Sequence, residues 1–229
     1  MILLIQPVLE AQVTYNRYQD NAPEVTYGKL RLSASGGWGH LTAYPGSNNP
    51  EPLTSYSKKL RHGITGALSA TWFLDRNLGL GFSYGHFRSH QQDADLHFQY
   101  NGKLYLISKI EDKTFVDNIY ADFQYRTFPW EWLHLIINAQ IGYVRYMNLY
   151  QFGERYVAKG DAIGSKLALI LEHPLNDRLF IHTTFSILQC DLYKYHVTNG
   201  YISTDIKLDS DPLPLSRTEI MAGISVLLY

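Results

Sequence analysis

The residues best suited to chemistry form one short polar cluster, which contains His86, Ser89, His90 and Asp93. A serine hydroxyl beside an imidazole can become a nucleophile, and a carboxylate can orient the ring. Such a group would support acyl transfer. The four residues are also near neighbours in a polar stretch, where this mixture arises without any catalytic role. They are therefore weak candidates, and the sequence as a whole predicts a protein that is not an enzyme.

The composition argues against several other kinds of functional site. The chain has 229 residues, a net charge of −1 and a single cysteine, Cys190, which excludes an internal disulfide and a cysteine-based metal site. The histidines show no metal-ligand spacing with carboxylates, so neither a metal nor a cofactor is expected. The 20 basic residues do not collect into a stripe, which argues against a nucleic-acid partner.

The elements that position these side chains are predicted by an alternation of apolar and polar residues with a period of two. In the segment 136–143, Ile137, Ala139 and Ile141 alternate with Asn138 and Gln140, as in a strand with one apolar and one polar face. The pattern returns eight times. It predicts strands at 25–43, 57–74, 77–90, 115–127, 132–150, 160–173, 178–194 and 214–229.

The connections between these segments alternate in length. Three are tight, at 75–76, 128–131 and 174–177, whereas those near 44–56, 91–114, 151–159 and 195–213 are long and polar. Tight turns at one end and long loops at the other are typical of transmembrane barrels. We therefore predict an all-β fold, an eight-stranded antiparallel up-and-down transmembrane β-barrel with short periplasmic turns and long external hairpins.

Two of the long connections contain Asn-Gly, at 101–102 and 199–200, which favours a type I′ hairpin turn. The first pair predicts either one long hairpin that projects beyond the bilayer or an irregular loop capped by a local hairpin. Three aromatic residues near it, Phe98, Tyr100 and Tyr105, are candidates for external binding. The alternative for these rings is packing across the hairpin.

The two faces of the strands differ in charge. The apolar faces are nearly free of charge, whereas the polar faces have a few charges of both signs, which fits a lumen where each charge needs a partner. The predicted lumen network consists of Lys29, Arg31, Asp122, Arg126, Lys166, Glu172, Arg217 and Glu219. A filled, rigid interior is the favoured interpretation, and a narrow polar pore is the alternative. An aromatic girdle is predicted near the tight turns, from Trp72, Phe128, Trp130, Trp132, Phe180 and Tyr229.

In this architecture the chain resembles the small OmpA/OmpX-type outer-membrane barrels of Gram-negative bacteria. The last segment, 219–229, is similar to the C-terminal signal for insertion of such barrels, with Gly223, Val226 and Leu228 in matching places and Tyr229 one residue beyond. The resemblance implies an integral protein of the outer membrane. Its partners would then be outer-membrane lipids and the barrel-assembly machinery, which would bind the C-terminal strand.

The first residues differ in composition from the rest of the chain. Residues 1–9 are mostly apolar, and the sequence around Ala11 resembles the end of a secretory signal, so 1–11 is interpreted as a signal-peptide remnant. The alternative is an ordinary apolar strand. Residues 12–229 are predicted to form a single outer-membrane barrel domain.

The resemblance leaves several functions open. The favoured one is a structural or surface-interaction role through the external loops, with an extracellular or surface protein as partner. Two small barrels of this kind modify lipid A, a palmitoyltransferase and a deacylase. The deacylase type uses His-x-Ser, which is absent here; His182-Thr183-Thr184 and His196-Val197-Thr198 come nearest. The transferase type combines His, Asp and Ser near the external rim, as the cluster at 86–93 does. A narrow channel for small solutes is the remaining alternative.

Overall fold

The computed structural model describes residues 30–42, 51–100, 103–130, 132–208 and 212–228, and the predicted signal remnant, Lys29 and Tyr229 lie outside these ranges. Twelve elements follow one another along the chain. They are β1 (Leu30–Leu41), α1 (Glu51–Leu60), β2 (His62–Phe73), β3 (Leu78–Tyr100), β4 (Lys103–Trp130), β5 (Leu133–Phe152), β6 (Glu154–Pro174), β7 (Leu179–Leu192), β8 (Lys194–Thr198), β9 (Ser203–Lys207), β10 (Leu213–Pro214) and β11 (Arg217–Leu228).

Eight of these strands close into an antiparallel barrel. Sequence neighbours pair from β1 to β7, β7 pairs with β11, and β11 returns to β1, where Leu30 lies opposite Leu228 and Leu41 opposite Arg217. Closure removes the unpaired edges that an open sheet of this size would expose. The predicted fold class is confirmed.

Side-chain oxygens form two of the predicted tight turns. Asp75 Oδ1 accepts hydrogen bonds from the backbone N–H groups of Asn77 and Leu78, both at 2.7 Å. Asn176 Oδ1 does the same for Arg178 and Leu179 at 2.9 and 2.8 Å. Such Asx-type bonds hold a short reversal in place. The turn predicted at 128–131 lies further along the chain, because β4 continues to Trp130, which pairs with Leu133. A register shift in the β4–β5 pairing separates Thr127 from Trp130.

The external connections differ from the predicted ones. The expected loop at 91–114 is a continuation of β3 and β4, paired from Leu78–Tyr125 to Tyr100–Lys103, so the long-hairpin interpretation is the one the structure shows. The loop expected at 151–159 is wrong, because β5 and β6 continue to a tight turn at Gly153, whose φ of 74° suits glycine. These strands extend because their outer halves still pair and bury a face.

A helix occupies part of the segment predicted as the second strand. Residues 51–60 form α1, so that strand begins at His62 and not at residue 57. Pro52 stands in the first turn, where a missing N–H has no cost, and Lys58 and Lys59 stand in the last turn, where the helix dipole favours cations. Among the described residues, no helix is long and apolar enough to traverse a membrane.

The polarity of the two faces inverts partway along the long strands. On β4, Ile119 and Phe123 point outward and are exposed, and Asp122 points inward. Beyond Asp117 the outward side has charged residues such as Lys113, and the inward positions include apolar residues such as Val116. A bilayer explains the first pattern and water the second. We therefore assign membrane-spanning segments to 30–38, 64–73, 78–84, 119–126, 133–143, 163–173, 179–187 and 220–228.

An apolar belt surrounds the spanning segments. Ile163 is 76% exposed and Phe82 71%, values that a surface in water would not tolerate over so wide an area. Trp72, Trp130 and Trp132 point outward near the tight turns, where a girdle was predicted. Phe180 is a correction, because it is buried in the lumen: it neighbours the outward Ile181, and successive residues of a strand point to opposite faces.

Candidate functional sites in the lumen and on the external hairpin

Near the tight turns, the lumen contains a buried ion pair. Arg31 contacts Glu172 through Nε at 3.0 Å and Nη2 at 2.9 Å, both to Oε1. The Ser225 hydroxyl also donates to Oε1, and His134 Nδ1 lies 3.7 Å from Oε2. The carboxylate thus has a cation and polar neighbours, as a buried charge requires.

A second cluster is built around Glu219. Lys166 Nζ lies 2.5 Å from its Oε2, and Arg217 Nε lies 2.6 Å from its Oε1. The hydroxyls of Thr65 and Ser186 donate to the same carboxylate at 3.1 and 3.0 Å. Four donors around one carboxylate pull four different strands together across the lumen.

The other predicted lumen residues also point inward. Asp122 accepts a hydrogen bond from the Ser83 hydroxyl at 2.9 Å. Arg126 places its guanidinium 3.9 Å from the centre of the Phe73 ring, a cation–π contact. A cavity of about 40 Å³, lined by polar side chains that include Ser83 and Lys166, lies between these layers. It has room for only a few water molecules.

The external half of the lumen contains a large apolar cluster. This cluster of buried side chains fills that half and consists of Leu41, Phe87, Val116, Tyr120, Val144, Tyr146, Ala158, Leu188, Cys190, Leu192 and Leu215. A Cβ at Gly39 or Gly63 would lie 2.8 or 2.6 Å from carbons of the Phe87 ring, so these two glycines make room for it. We call the cluster of buried side chains listed above the apolar plug. The prediction of a polar lumen is wrong at this level, because apolar side chains occupy the inward positions listed above.

Helix α1 contributes a further layer at the external end. The Tyr56 hydroxyl contacts the carbonyl oxygen of Gln91 at 3.1 Å and Oδ2 of Asp112 at 2.9 Å, and the Asn148 amide donates to Oδ1 of Asp112 at 3.1 Å. Burial raises the pKa of Asp112, although the hydrogen bonds from Tyr56 and Asn148 oppose the rise. This carboxylate therefore ties the helix to the barrel wall.

The cluster at 86–93 does not assemble into a nucleophilic site. His86 points outward and its Nδ1 lies 2.7 Å from Oδ1 of Asp117, while His90 points outward toward Glu111 at 3.3 Å. Ser89 points inward, is buried, and donates to the carbonyl oxygens of Leu60 and His62. Asp93 accepts a bond from the backbone of Ala94. Ser89 and His86 are an odd number of residues apart, which puts them on opposite faces.

The hairpin of β8 and β9 stands beside β6 above the membrane, with His196 opposite Lys159. Its turn is one residue away from the predicted position. Asn199 N–H bonds to the carbonyl oxygen of Ile202 at 3.2 Å, so Gly200 and Tyr201 occupy the centre, and Gly200 has a φ of 90°. Asn199 Oδ1 accepts bonds from both Tyr201 and Ile202, which fixes this register.

Three side chains on this hairpin form a hydrogen-bonded series. His196 Nδ1 lies 2.9 Å from Oδ1 of Asp205, and His196 Nε2 lies 2.8 Å from the Ser203 hydroxyl. In the sequence, His196 is noted only with Thr198, as an approximation to the His-x-Ser pattern. The signal for Ser203 and Asp205 was the hairpin itself, because antiparallel pairing brings residues two apart on one strand to the same face as their cross-strand partner.

The predicted binding candidates lie at the far end of the β3–β4 hairpin. The backbone of Phe98 pairs with that of Tyr105, and Tyr100 pairs with Lys103. The side chains of these residues lie outside the described part, so their binding role stays a prediction. Within the ranges that the structure describes, no three His, Cys, Asp or Glu side chains are grouped to hold a metal ion.

Similar folds occur among outer-membrane proteins, although no family model and no curated protein matches the sequence. A major outer-membrane protein from Thermus thermophilus superposes with a TM-score of 0.57 at 10% identity, over 86% of this chain and 98% of that one. The outer-membrane protease OmpT from Escherichia coli gives 0.54 at 9% identity, over 90% and 99%. Ail, the attachment invasion locus protein of Yersinia pestis, solved with the heparin analogue sucrose octasulfate, gives 0.51 at 12% identity, over 88% and 99%.

At these identities the likeness shows the fold, and the apolar belt shows what surrounds it. The chain has the fold of an integral outer-membrane β-barrel. More particularly, it has the architecture of the small eight-stranded barrels of the OmpA/OmpX-like type that span the outer membrane of Gram-negative bacteria.

Proposed function

We propose that the protein is a sealed outer-membrane barrel whose external hairpins form an interaction surface. The apolar plug carries this proposal, because it fills the external half of the lumen and leaves the outer surface as the place for contact. Helix α1 adds a second closure through Tyr56 and Asp112. The channel alternative would need a wide, wet path through this region, and no observation favours it.

The hairpin of β8 and β9 is the part of that surface best suited to a partner. Tyr201 is 97% exposed and Ile202 is 67% exposed at its tip, so two large apolar side chains stand in water. Aromatic side chains in such positions can anchor a partner. The outer edge of β9 pairs with no strand in the described part of the chain. An extended polypeptide segment could add to that edge and place its side chains against Tyr201 and Ile202.

The test compares attachment of cells that display the protein to a surface coated with a proline-free peptide rich in Thr and Tyr, whose composition favours an extended chain. The double variant Tyr201→Ser/Ile202→Ser is expected to lower attachment at least ~5-fold, since it removes both apolar anchors. Leu175→Ser is the matched control, because Leu175 is exposed in a turn at the opposite end of the barrel. The proposal would be contradicted if the double variant attached as well as wild type. It would also be contradicted if wild-type cells attached no better than cells without the protein.

Two further partners follow from the barrel itself. Lipids of the outer membrane would contact the apolar belt, and the assembly machinery would bind β11, whose Gly223 and Val226 fit the insertion pattern. The lipid A-modifying alternative rested on the cluster at 86–93. Because Ser89 and His86 face opposite sides of β3, that cluster gives it no support.

A further inference from the structure

The hairpin of β8 and β9 places a hydroxyl, an imidazole and a carboxylate in series. If His196 donates its Nδ1–H to Asp205, its Nε2 is left as an acceptor for the Ser203 hydroxyl, and the two distances of 2.9 and 2.8 Å fit both bonds. A nucleophile bonded to a base, with the base oriented by a third group, is the arrangement that activates serine. The cluster at 86–93 lacked this relation.

The surrounding contacts hold the series in place. Lys194 Nζ lies 3.0 Å from Oδ2 of Asp205, so each oxygen of the carboxylate has its own partner. The hydrogen bonds from His196 and Lys194 lower the pKa of Asp205, which keeps it ionised at neutral pH. At the tip, the Asn199 amide donates to Glu154 of β6 at 2.9 Å. The site therefore stands on paired strands and a fixed turn, which favours preorganisation.

The backbone ladder supplies a donor beside the nucleophile. Leu208 N–H bonds to Tyr193 O at 2.8 Å, and Asn199 N–H bonds to Ile202 O at 3.2 Å. In an antiparallel pair such bonded positions alternate with non-bonded ones, so the pairs His196–Asp205 and Thr198–Ser203 are of the non-bonded kind. The N–H of Ser203 consequently points to the outer edge of β9, which pairs with no other described strand.

We propose that Ser203, His196 and Asp205 form an acyl-transfer site that cleaves carboxylic esters at the cell surface. Ser203 is the nucleophile, His196 is the general base and acid, and Asp205 is a positioning residue that acts through His196. This inference goes beyond the interaction surface proposed above and does not require it.

The reaction proceeds in two balanced steps. The Ser203 oxygen attacks the ester carbonyl carbon, its proton passes to Nε2 of His196, and the carbonyl oxygen becomes an oxyanion that the Ser203 N–H can stabilise. The carbon–oxygen bond to the leaving alcohol then breaks, and His196 returns the proton to that alcohol. Water attacks the acyl-serine in the same way, which releases the carboxylic acid and restores Ser203.

The surroundings favour esters over amides. One oxyanion donor and a half-exposed histidine give limited stabilisation, which suits a good leaving group such as an alcohol more than an amine. The neighbouring Tyr201 and Ile202 are exposed and could contact an apolar acyl or alcohol portion. An aromatic acetate ester is therefore a suitable probe.

The test uses the refolded full chain in detergent micelles with p-nitrophenyl acetate. We expect a burst of p-nitrophenol of up to one equivalent, an acetyl group on the peptide that contains Ser203, and a turnover rate at least ~10-fold above that of Ser203→Ala. His196→Ala should lower the burst rate as strongly. Asp205→Asn should lower the burst rate and change the dependence of that rate on pH. Asp205→Glu should restore part of the burst rate.

Thr204→Ala is the matched control, because Thr204 is adjacent on β9 and its side chain lies on the other face. It should keep the wild-type burst, and the gel mobility of unboiled samples reports that each variant folds. The proposal is overturned if folded Ser203→Ala hydrolyses the ester as fast as wild type, or if wild type shows no burst. A failure of wild-type cells to attach to the peptide-coated surface would overturn the proposed function alone, since the ester assay contains no polypeptide partner.

Discussion

Individual charges decide how the lumen is built. Glu172 and Glu219 are almost fully buried, and each contacts at least one cation on another strand. Removing one member of such a pair leaves the other charge without compensation in a place that water hardly reaches. The sequence indicated these residues because their charges interrupted an otherwise polar, uncharged face. It could not assign partners, because pairing across the lumen depends on barrel closure.

The first prediction concerns Glu172. Glu172→Ala should lower the free energy of unfolding by about 3–5 kcal/mol, because Arg31 would stay buried without its carboxylate. Urea unfolding in micelles measures this. Leu169→Ala is the control, since Leu169 faces outward on the same strand. An equal unfolding midpoint for wild type and Glu172→Ala would show that the pair does not stabilise the barrel.

The second prediction concerns Asp205 and pH. The partners of Asp205 lower its pKa in the folded hairpin below the ordinary value of 3.8. A carboxyl whose pKa is depressed by folding stabilises the fold above its unfolded pKa and loses that effect as the pH falls through the folded value. The hairpin should therefore stay ordered at pH 5 and loosen only below about pH 3.8. Carboxyl chemical shifts across a pH titration measure this; a midpoint above 3.8 would refute it.

At the scale of elements, alternation predicted the strands well where one face meets lipid. It failed for α1, whose first turn contains Pro52 and whose last turn contains Lys58 and Lys59. The predicted second strand begins at residue 57 and so covers the last turn of this helix, and the rest of the helix lies in a segment predicted as a loop. The prediction from sequence also failed for the turn at Gly200, where the side chain of Asn199 selects a register one residue away from the Asn-Gly rule. Local hydrogen bonds outweighed the dipeptide preference in that case.

The third prediction concerns the attachment of α1. Tyr56→Phe removes the hydroxyl that contacts Asp112, so the docked helix should lose about 1.5–3 kcal/mol of protection against opening. Hydrogen exchange of the α1 amides measures this, with the exposed Lys58→Ala as control. Burial raises the pKa of Asp112. The loss should consequently shrink as acid protonates Asp112, and a loss independent of pH would argue against this contact.

At the scale of the whole molecule, the same strands cross two solvents. Outward residues are apolar up to the level of Ile119 and Tyr143 and include charged side chains beyond it, as at Asp117 and Arg145. Alternation with a period of two residues predicts one polarity for each face along the whole length of a strand. This pattern predicts the membrane-spanning barrel, but it does not predict the apolar plug, because Phe87 and its neighbours lie on the side expected to be polar. Only the closed fold brings those residues together.

The measurement that tests the sealed barrel most directly is the ionic conductance of the refolded protein in planar bilayers. Because the apolar plug fills the external half of the lumen and the cavity below it is only about 40 Å³, we predict no unitary current steps across the bilayer. Insertion is verified independently by protease protection of the spanning segments. Reproducible unitary steps from correctly inserted protein would contradict a sealed lumen and would restore the channel as the better account.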